Sequence, residues 1–185
     1  MLGLNGQGKT TLMKTLAGLL PPLTGILTRI RALYLSEEVD FPGRLTPREI
    51  IQCLDPGPKL RALGNELLAA LEVENKSYRL LSKGNRQKAR VIFAEIISRA
   101  RNVHFLGLDE PFAGLDFQAR DYLVSRWIEN ANRERHLLVS MHPSEIQAAP
   151  SQIVLVSEGR IWTVPPSTPW SEIRGLLQKP SLVAA

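Results

Sequence analysis

One cysteine, Cys53, occurs in the 185 residues of the sequence. That excludes an internal disulfide and any metal centre built on several thiolates, and it agrees with a reducing compartment. Lacking a partner, Cys53 is expected to face the core as an inert thiol. Long apolar runs are missing as well, since charge, glycine or proline cuts every hydrophobic stretch well short of the roughly 18–20 residues a membrane helix needs. No charged N-terminal region followed by an apolar one and a cleavage site is found, so the chain is expected to be cytoplasmic. Aromatic residues are only 6% of the chain and form no basic, aromatic-rich stretch suited to stacking nucleobases. The net charge is +5, yet Arg29, Arg31, Arg44, Arg48, Arg79, Arg99, Arg133 and Arg135 are scattered, so nucleic acid is not expected as a partner. Internal repeats and low-complexity segments are absent too.

What is present suits a single globular domain, with 44% hydrophobic residues available for one core. Residues 3–10, GLNGQGKT, fit the phosphate-cradling pattern G-x-x-x-x-G-K-[ST]. Gly3, Gly6 and Gly8 let successive backbone N–H groups point into one concavity at a helix N-terminus, which attracts phosphate oxygens. Lys9 then reaches the β- and γ-phosphates, and Thr10 offers a hydroxyl to Mg²⁺. Taken alone, the stretch also fits a glycine-rich turn. A P-loop is fed by a buried strand, and only two residues precede this one.

Apolar spacing predicts a helix over residues 9–20, stopped by Pro21-Pro22, and short strands over 26–30 and 32–35. Thr46-Pro47-Arg48-Glu49 is a capping box, so a helix is expected over 47–54. Two further helices are predicted over 59–73 and 82–100, the second with Ala89, Ile92, Phe93, Ile96 and Ile97 on its apolar side. Residues 116–130 read as a helix and HLLVSMH as a buried strand; QIVLV and RIWTV around SEG read as a hairpin, and 170–177 as a closing helix. Strands alternating with helices imply a mostly parallel sheet. VHFLGLDEP places Asp109 and Glu110 at the carboxyl end of a buried strand, where ligand sites of open α/β sheets lie. There the first carboxylate can hold Mg²⁺ through water and the second can orient or deprotonate a water beside the γ-phosphate; two acids capping a helix are the structural alternative. Gly107, within the strand, marks close packing or a bulge.

A third stretch narrows the reading. LSKGNRQKA, residues 81–89, resembles the LSGGQ signature of the ATP-binding cassette (ABC) family. The order of motifs is also similar to that family over almost the whole chain: P-loop, helical lobe, signature, Asp-Glu strand, the AGLD loop and VSMH. The resemblance implies an α/β P-loop NTPase: a single ABC ATPase domain over 1–185, its core made of 1–36 and 101–185 and a small helical lobe of 37–100. It implies ATP and Mg²⁺ as ligands. ATP would be bound by Asn5, Gly6, Gln7, Gly8, Lys9, Thr10 and Thr11, the metal by Thr10 and Asp109, with Glu110 and His142 catalytic. Leu81, Ser82, Lys83, Gly84 and Asn85 would act in trans, on the ATP of a second ATP-binding subunit, the same or a different chain, with Asp116 acting across the same interface. Ser82 can also be an ordinary N-cap. His104 and His136 are expected to pack or face solvent.

Departures from the family pattern carry expectations of their own. The glutamine that the family places near Mg²⁺ aligns with Glu37, or with Glu38 beside it, and a carboxylate there would alter metal dependence or slow turnover. Lys83 and Asn85 replace a glycine and a glutamine of the signature. Relative to the family, roughly 20–30 residues are expected to be missing ahead of residue 3, namely the N-terminal antiparallel strands and an aromatic that stacks on adenine. None of Tyr34, Tyr78 and Tyr122 stands at that aromatic's place. The implied activity is ATP hydrolysis that energises a separate membrane permease subunit from the inner face of the cell membrane, with the style of residues 81–88 and the acidic turn SEEVDFPG at residues 36–43 pointing toward export. The alternatives are a soluble family member working on DNA or ribosomes, for which no coiled-coil insertion, zinc module or second cassette is seen, and a truncated, non-hydrolysing remnant or regulatory subunit.

Overall fold

The structure is a computed structural model that describes residues 1–28, 30–36, 38–130, 136–141 and 152–178. A three-stranded parallel sheet lies at its centre, in the order β1 (Ala32–Leu35), β2 (Phe105–Leu108), β3 (His136–Val139). Tyr34 stands opposite Gly107, and Leu108 opposite Val139. Side chains alternate across the pleat: Leu33, Leu35, Leu106, Leu108, Leu137 and Val139 join one core, while Tyr34 and Leu138 join another. The first face is covered by α4 (Lys83–Ala100) and α5 (Phe117–Glu129), the second by α1 (Lys9–Leu16), whose Met13 is fully buried. Burying a side chain of that size stabilises by about 1.5–3 kcal/mol. Gly107 reflects this packing and not a bulge, because a Cβ there would stand 3.3 Å from Met13 Cε and the ladder runs through the residue unbroken.

Met1 and Leu2 add a rung between two sheets. The Met1 main-chain nitrogen donates to Val139 O at 2.6 Å and its carbonyl accepts from Met141 N–H. On its other side Leu2 pairs in parallel with Leu155 of β4 (Ile153–Ser157). β4 turns through Glu158 and Gly159, both with positive φ, into β5 (Arg160–Val164). Two such residues make the turn whose twist matches a hairpin. The two residues ahead of the loop therefore carry the hydrogen bonding of the parallel sheet across to the hairpin. Among the remaining helices, α2 (Pro47–Cys53) has the expected capping box, Thr46 Oγ1 accepting from Glu49 N–H while Glu49 Oε2 accepts from Thr46 N–H at 2.7 Å. It packs with α3 (Pro58–Ala70) against α4. The last described element is α6 (Trp170–Gln178), whose Ile173 and Leu177 pack with Leu155. Among the described residues no helix is long and apolar enough to cross a membrane.

Three expectations are corrected. The first helix ends at Leu16 and not at Leu20: Gly18 takes φ +73°, Leu19 N–H bonds Lys14 O and Gly18 N–H bonds Thr15 O. This Schellman closure stops the helix before Pro21 is reached. Residues 26–28 and 30 form no strand, with Ile26 fully exposed, because strand formation depends on a neighbour to pair with more than on β-branched composition. Cys53 is exposed, not in the core. It sits about 200° round α2 from the fully buried Ile51, on the opposite side of the helix.

Candidate functional site

Leu2 delivers the chain into residues 3–10 against β4, and the approach is closer than any side chain allows. A Cβ on Gly3 would lie 2.5 Å from the carbonyl oxygen of Val156. Gly3→Ala is therefore expected to lower stability by about 1–3 kcal/mol, the usual cost of overpacking against a rigid neighbour. For a chain of this size that is roughly 2–4 °C in Tm per kcal/mol. A thermal unfolding scan measures it, and an unchanged Tm would refute the close approach. Beyond Gly3 the loop turns through Gly6 (φ +76°) and Gly8 (φ +93°), and Gly8 starts α1 with no side chain capping its first amides. Buried Lys9 folds over the loop, its Nζ donating to Gly3 O at 2.8 Å and Leu4 O at 3.2 Å. Gln7 Oε1 accepts from Glu158 N–H at 2.6 Å, which ties the loop to the hairpin turn. Amides at a helix start together with a held ammonium form a concavity suited to phosphate.

The opposite wall is the carboxyl end of β2. Asp109 N–H bonds Leu35 O, so the residue is fixed between β1 and β2 just past the last full rung. Its carboxylate accepts three hydroxyls: Thr10 at 2.6 Å and Tyr34 at 2.8 Å on Oδ2, Ser140 at 2.5 Å on Oδ1. Thr10 and Asp109 are 99 residues apart in sequence, and the parallel topology brings them together. Burial, and then the Asp109 carboxylate, hold the Tyr34 phenol well above its ordinary pKa, so it stays a donor. Glu110 follows with φ +46°, a conformation rare for a side-chain-bearing residue. Its N–H bonds Ser140 Oγ at 2.9 Å, and the Gln87 amide donates to the carbonyls of Glu110 (3.4 Å) and Pro111 (3.0 Å). A backbone held at both ends sets where its carboxylate can point.

Residues 81–85 sit elsewhere. Ser82 caps α4 by accepting from Asn85 N–H at 3.1 Å, and the Asn85 amide reaches Glu74 at 3.0 Å. A Cβ on Gly84 would lie 3.0 Å from Gly114 O, so this stretch packs on the segment before α5. Asp116 caps α5 through Ala119 N–H and pairs with Lys88 at 2.8 Å; that ammonium, with the amide, holds its carboxyl below the usual carboxylate range. Among the described residues, the hydrogen bonds and ion pairs of 81–85 run to their own helix, to Tyr78 and to Glu74, and none to the loop 3–10. Asn5, Gly6, Thr11 and Lys83 are on the surface of their elements. Glu37 and His142 lie outside the described residues; Glu38 is exposed, as are His104 and His136.

Sequence reasoning missed four residues around these carboxylates. Tyr34 and Ser140 hold Asp109, and Gln87 is linked to Arg90, which donates to Gln87 Oε1 at 3.2 Å and to Ser36 O at 2.8 Å. Gln87 and Arg90 line a cleft of about 310 Å³ together with Glu38, Asp40, Lys83 and Arg86. Of the four, Ser140 and Gln87 stand in stretches the sequence singles out, Ser140 two residues before His142 in VSMH and Gln87 within residues 81–89.

Comparison with known proteins bears on the same residues. The family model for the ABC transporter matches residues 1–113. The thiamine import ATP-binding protein ThiQ of Escherichia coli O157:H7 is 32% identical over 183 residues, covering 87% of this chain and 77% of that protein. Among solved structures, an ATP binding subunit of an ABC transporter superposes with a TM-score of 0.77 at 23% identity, covering 96% of this chain and 87% of the other. An ABC transporter described as of metal-chelate type, in an inward-facing conformation, gives 0.72 at 21% identity over 96% of this chain and 77% of that one. The parallel sheet with its loop-to-helix turn is thus the P-loop NTPase fold, and the chain belongs to the ABC transporter family as an ATP-binding, ATP-hydrolysing, transport-coupled subunit.

Proposed function

We propose that the chain binds ATP on residues 5–11 and hydrolyses it with Glu110 as the group that orients and deprotonates water. The observation that carries this is the Thr10 hydroxyl 2.6 Å from Asp109, which closes the P-loop onto the end of β2 with Glu110 next in the chain. Mg²⁺ fits the donors present, because a hydroxyl and a carboxylate are hard oxygen ligands and leave room for phosphate oxygens and water. Thr10 and Asp109 would hold the ion, and bound there it would neutralise charge on the β- and γ-phosphates. Lys9 leaves its loop carbonyls within reach of the same phosphates. Glu110, on its fixed backbone, accepts the proton of the attacking water.

A second nucleotide-binding subunit completes each site in this reading. Ser82 and Gly84 lie at the N-terminus of α4, an anion-attracting position, and the hydrogen bonding of their stretch does not run to their own loop. Two chains packed head to tail would bring this terminus to the partner's ATP, with Asp116 at the same interface. Ser82→Arg is expected to spare nucleotide binding by the single chain and to abolish ATP-dependent pairing, read as loss of the dimer peak in analytical ultracentrifugation with Mg-ATP. Normal pairing would remove the cross-subunit role.

A separate permease supplies the pathway, and the chain works on the cytoplasmic face of its membrane. The direction of transport separates two readings. Residues 81–88 and the acidic turn were the grounds for export, whereas the ThiQ relatives are named for import. Reconstituting the chain with its permease in vesicles, and following ATP-driven uptake against release, decides between them. ATP hydrolysis that does not respond to the permease would overturn the transport-coupled reading.

A further inference from the structure

Asp109 has one contact that the proposed mechanism leaves without a task. Tyr34 stands opposite Gly107 in the parallel register, and Asp109 lies two residues beyond Gly107 on the same strand face. Gly107 projects no side chain between them, so the phenol reaches diagonally along β2 and donates to Asp109 Oδ2 at 2.8 Å. Diagonal neighbours on a sheet are about 7–8 Å apart, within the reach of an aromatic side chain. Thr10 uses the same oxygen at 2.6 Å, and Ser140 holds the other.

The three donors differ in how firmly they are held. Thr10 sits at the exposed start of α1, and in the metal reading its hydroxyl would turn to the ion. Ser140 serves two masters, since its oxygen also accepts the Glu110 N–H. Tyr34 is anchored by its ring, packed with Met1, Met13 and Leu138 between the sheet and α1. Its hydroxyl is therefore a fixed point on the very oxygen that Thr10 shares, and it prevents the carboxylate from turning Oδ2 away from the P-loop.

We infer that Tyr34 is a positioning residue of the Mg²⁺ site, holding Asp109 in the rotamer that presents Oδ2 beside the Thr10 hydroxyl. The inference rests on the metal reading above. Groups that orient metal ligands from behind change metal affinity by about 10- to 100-fold when removed. Loss of one donor of three falls at the lower end of that range.

The test uses the full chain and a fluorescent ATP analogue at fixed concentration, with Mg²⁺ titrated, and a parallel binding curve in EDTA. In Tyr34→Phe the Mg²⁺ concentration at half-saturation is expected to rise about tenfold, while affinity in EDTA and Tm stay at wild-type values. Replacing Tyr34 by p-aminophenylalanine keeps an N–H donor at the same place and is expected to restore the wild-type midpoint. An unchanged midpoint in Tyr34→Phe, or an equal loss with and without Mg²⁺, overturns the inference, as does an aminophenylalanine form that behaves like the Phe variant. Should wild-type binding itself be indifferent to Mg²⁺, the metal reading fails and takes this inference with it, a result distinct from a wild type that responds and a variant that does not differ.

Discussion

Glu110→Gln is expected to lower ATP turnover by about 10²- to 10⁴-fold, the range a positioned general base contributes, while nucleotide affinity stays close to that of the wild type. Three features confine the effect to chemistry. The main chain of Glu110 is held on one side by Ser140 Oγ on its N–H and on the other by Gln87 on its carbonyl, so an amide of the same size keeps the same position. The left-handed φ of +46° belongs to the backbone and is as accessible to Gln as to Glu. The Glu110 carboxylate is not part of the network around Asp109, because the hydroxyls of Thr10, Tyr34 and Ser140 all donate to the Asp109 carboxylate and Ser140 meets Glu110 only at its main-chain N–H. Removing a negative charge beside three phosphates does not weaken their binding. Phosphate release and equilibrium binding of a fluorescent nucleotide separate the two quantities, and Mg-ATP should in addition accumulate a long-lived dimer. Turnover within about threefold of wild type would remove Glu110 as the base.

The parts of this site that could be read from sequence are those encoded by local spacing. A G-x-x-x-x-G-K-[ST] loop specifies its own backbone, and two acids after a run of buried apolar residues specify a strand end, so Lys9, Thr10, Asp109 and Glu110 were legible before their contact was. Tyr34 was not, because its role comes from standing opposite a glycine in another strand 73 positions away, and parallel register leaves no mark in either segment alone. As a candidate for the adenine-stacking aromatic, Tyr34 is excluded by its position in the sequence. Gln87 and Arg90 were hidden for a similar reason: on a helix rich in charge, nothing distinguishes the side chains that turn toward carbonyls of Glu110, Pro111 and Ser36 from those that face water. The errors have opposite causes. The end of α1 was mistaken although the signal was present, since Gly18 as a C-terminal stop was outweighed by the more conspicuous Pro21-Pro22. Cys53 was assigned to the core on the habits of its residue type, when the phase of α2 set by Ile51 already turned it outward.

Lys9→Ala is expected to weaken ATP binding by roughly 10- to 10⁴-fold, from one or two charge-assisted hydrogen bonds to phosphate at about 1.5–3 kcal/mol each. The same substitution acts on the nucleotide-free loop. Lys9 is only 7% exposed and spans residues 3–9 by bonding the carbonyls of Gly3 and Leu4, so its loss leaves both acceptors without the ammonium and the loop without its internal tie. The backbone would nevertheless keep its course. Gly3 remains wedged against Val156 O, Gln7 remains bonded to Glu158 N–H, and α1 remains seated through Met13. The drop in Tm should accordingly be a few degrees, far short of what would be needed to explain the loss of binding by unfolding. Isothermal titration with ATP, run beside thermal unfolding of the same preparation, measures both effects. Affinity within about threefold of wild type would show that the ammonium serves the loop alone, and that the phosphate grip is made by the amides of residues 5–11 without it.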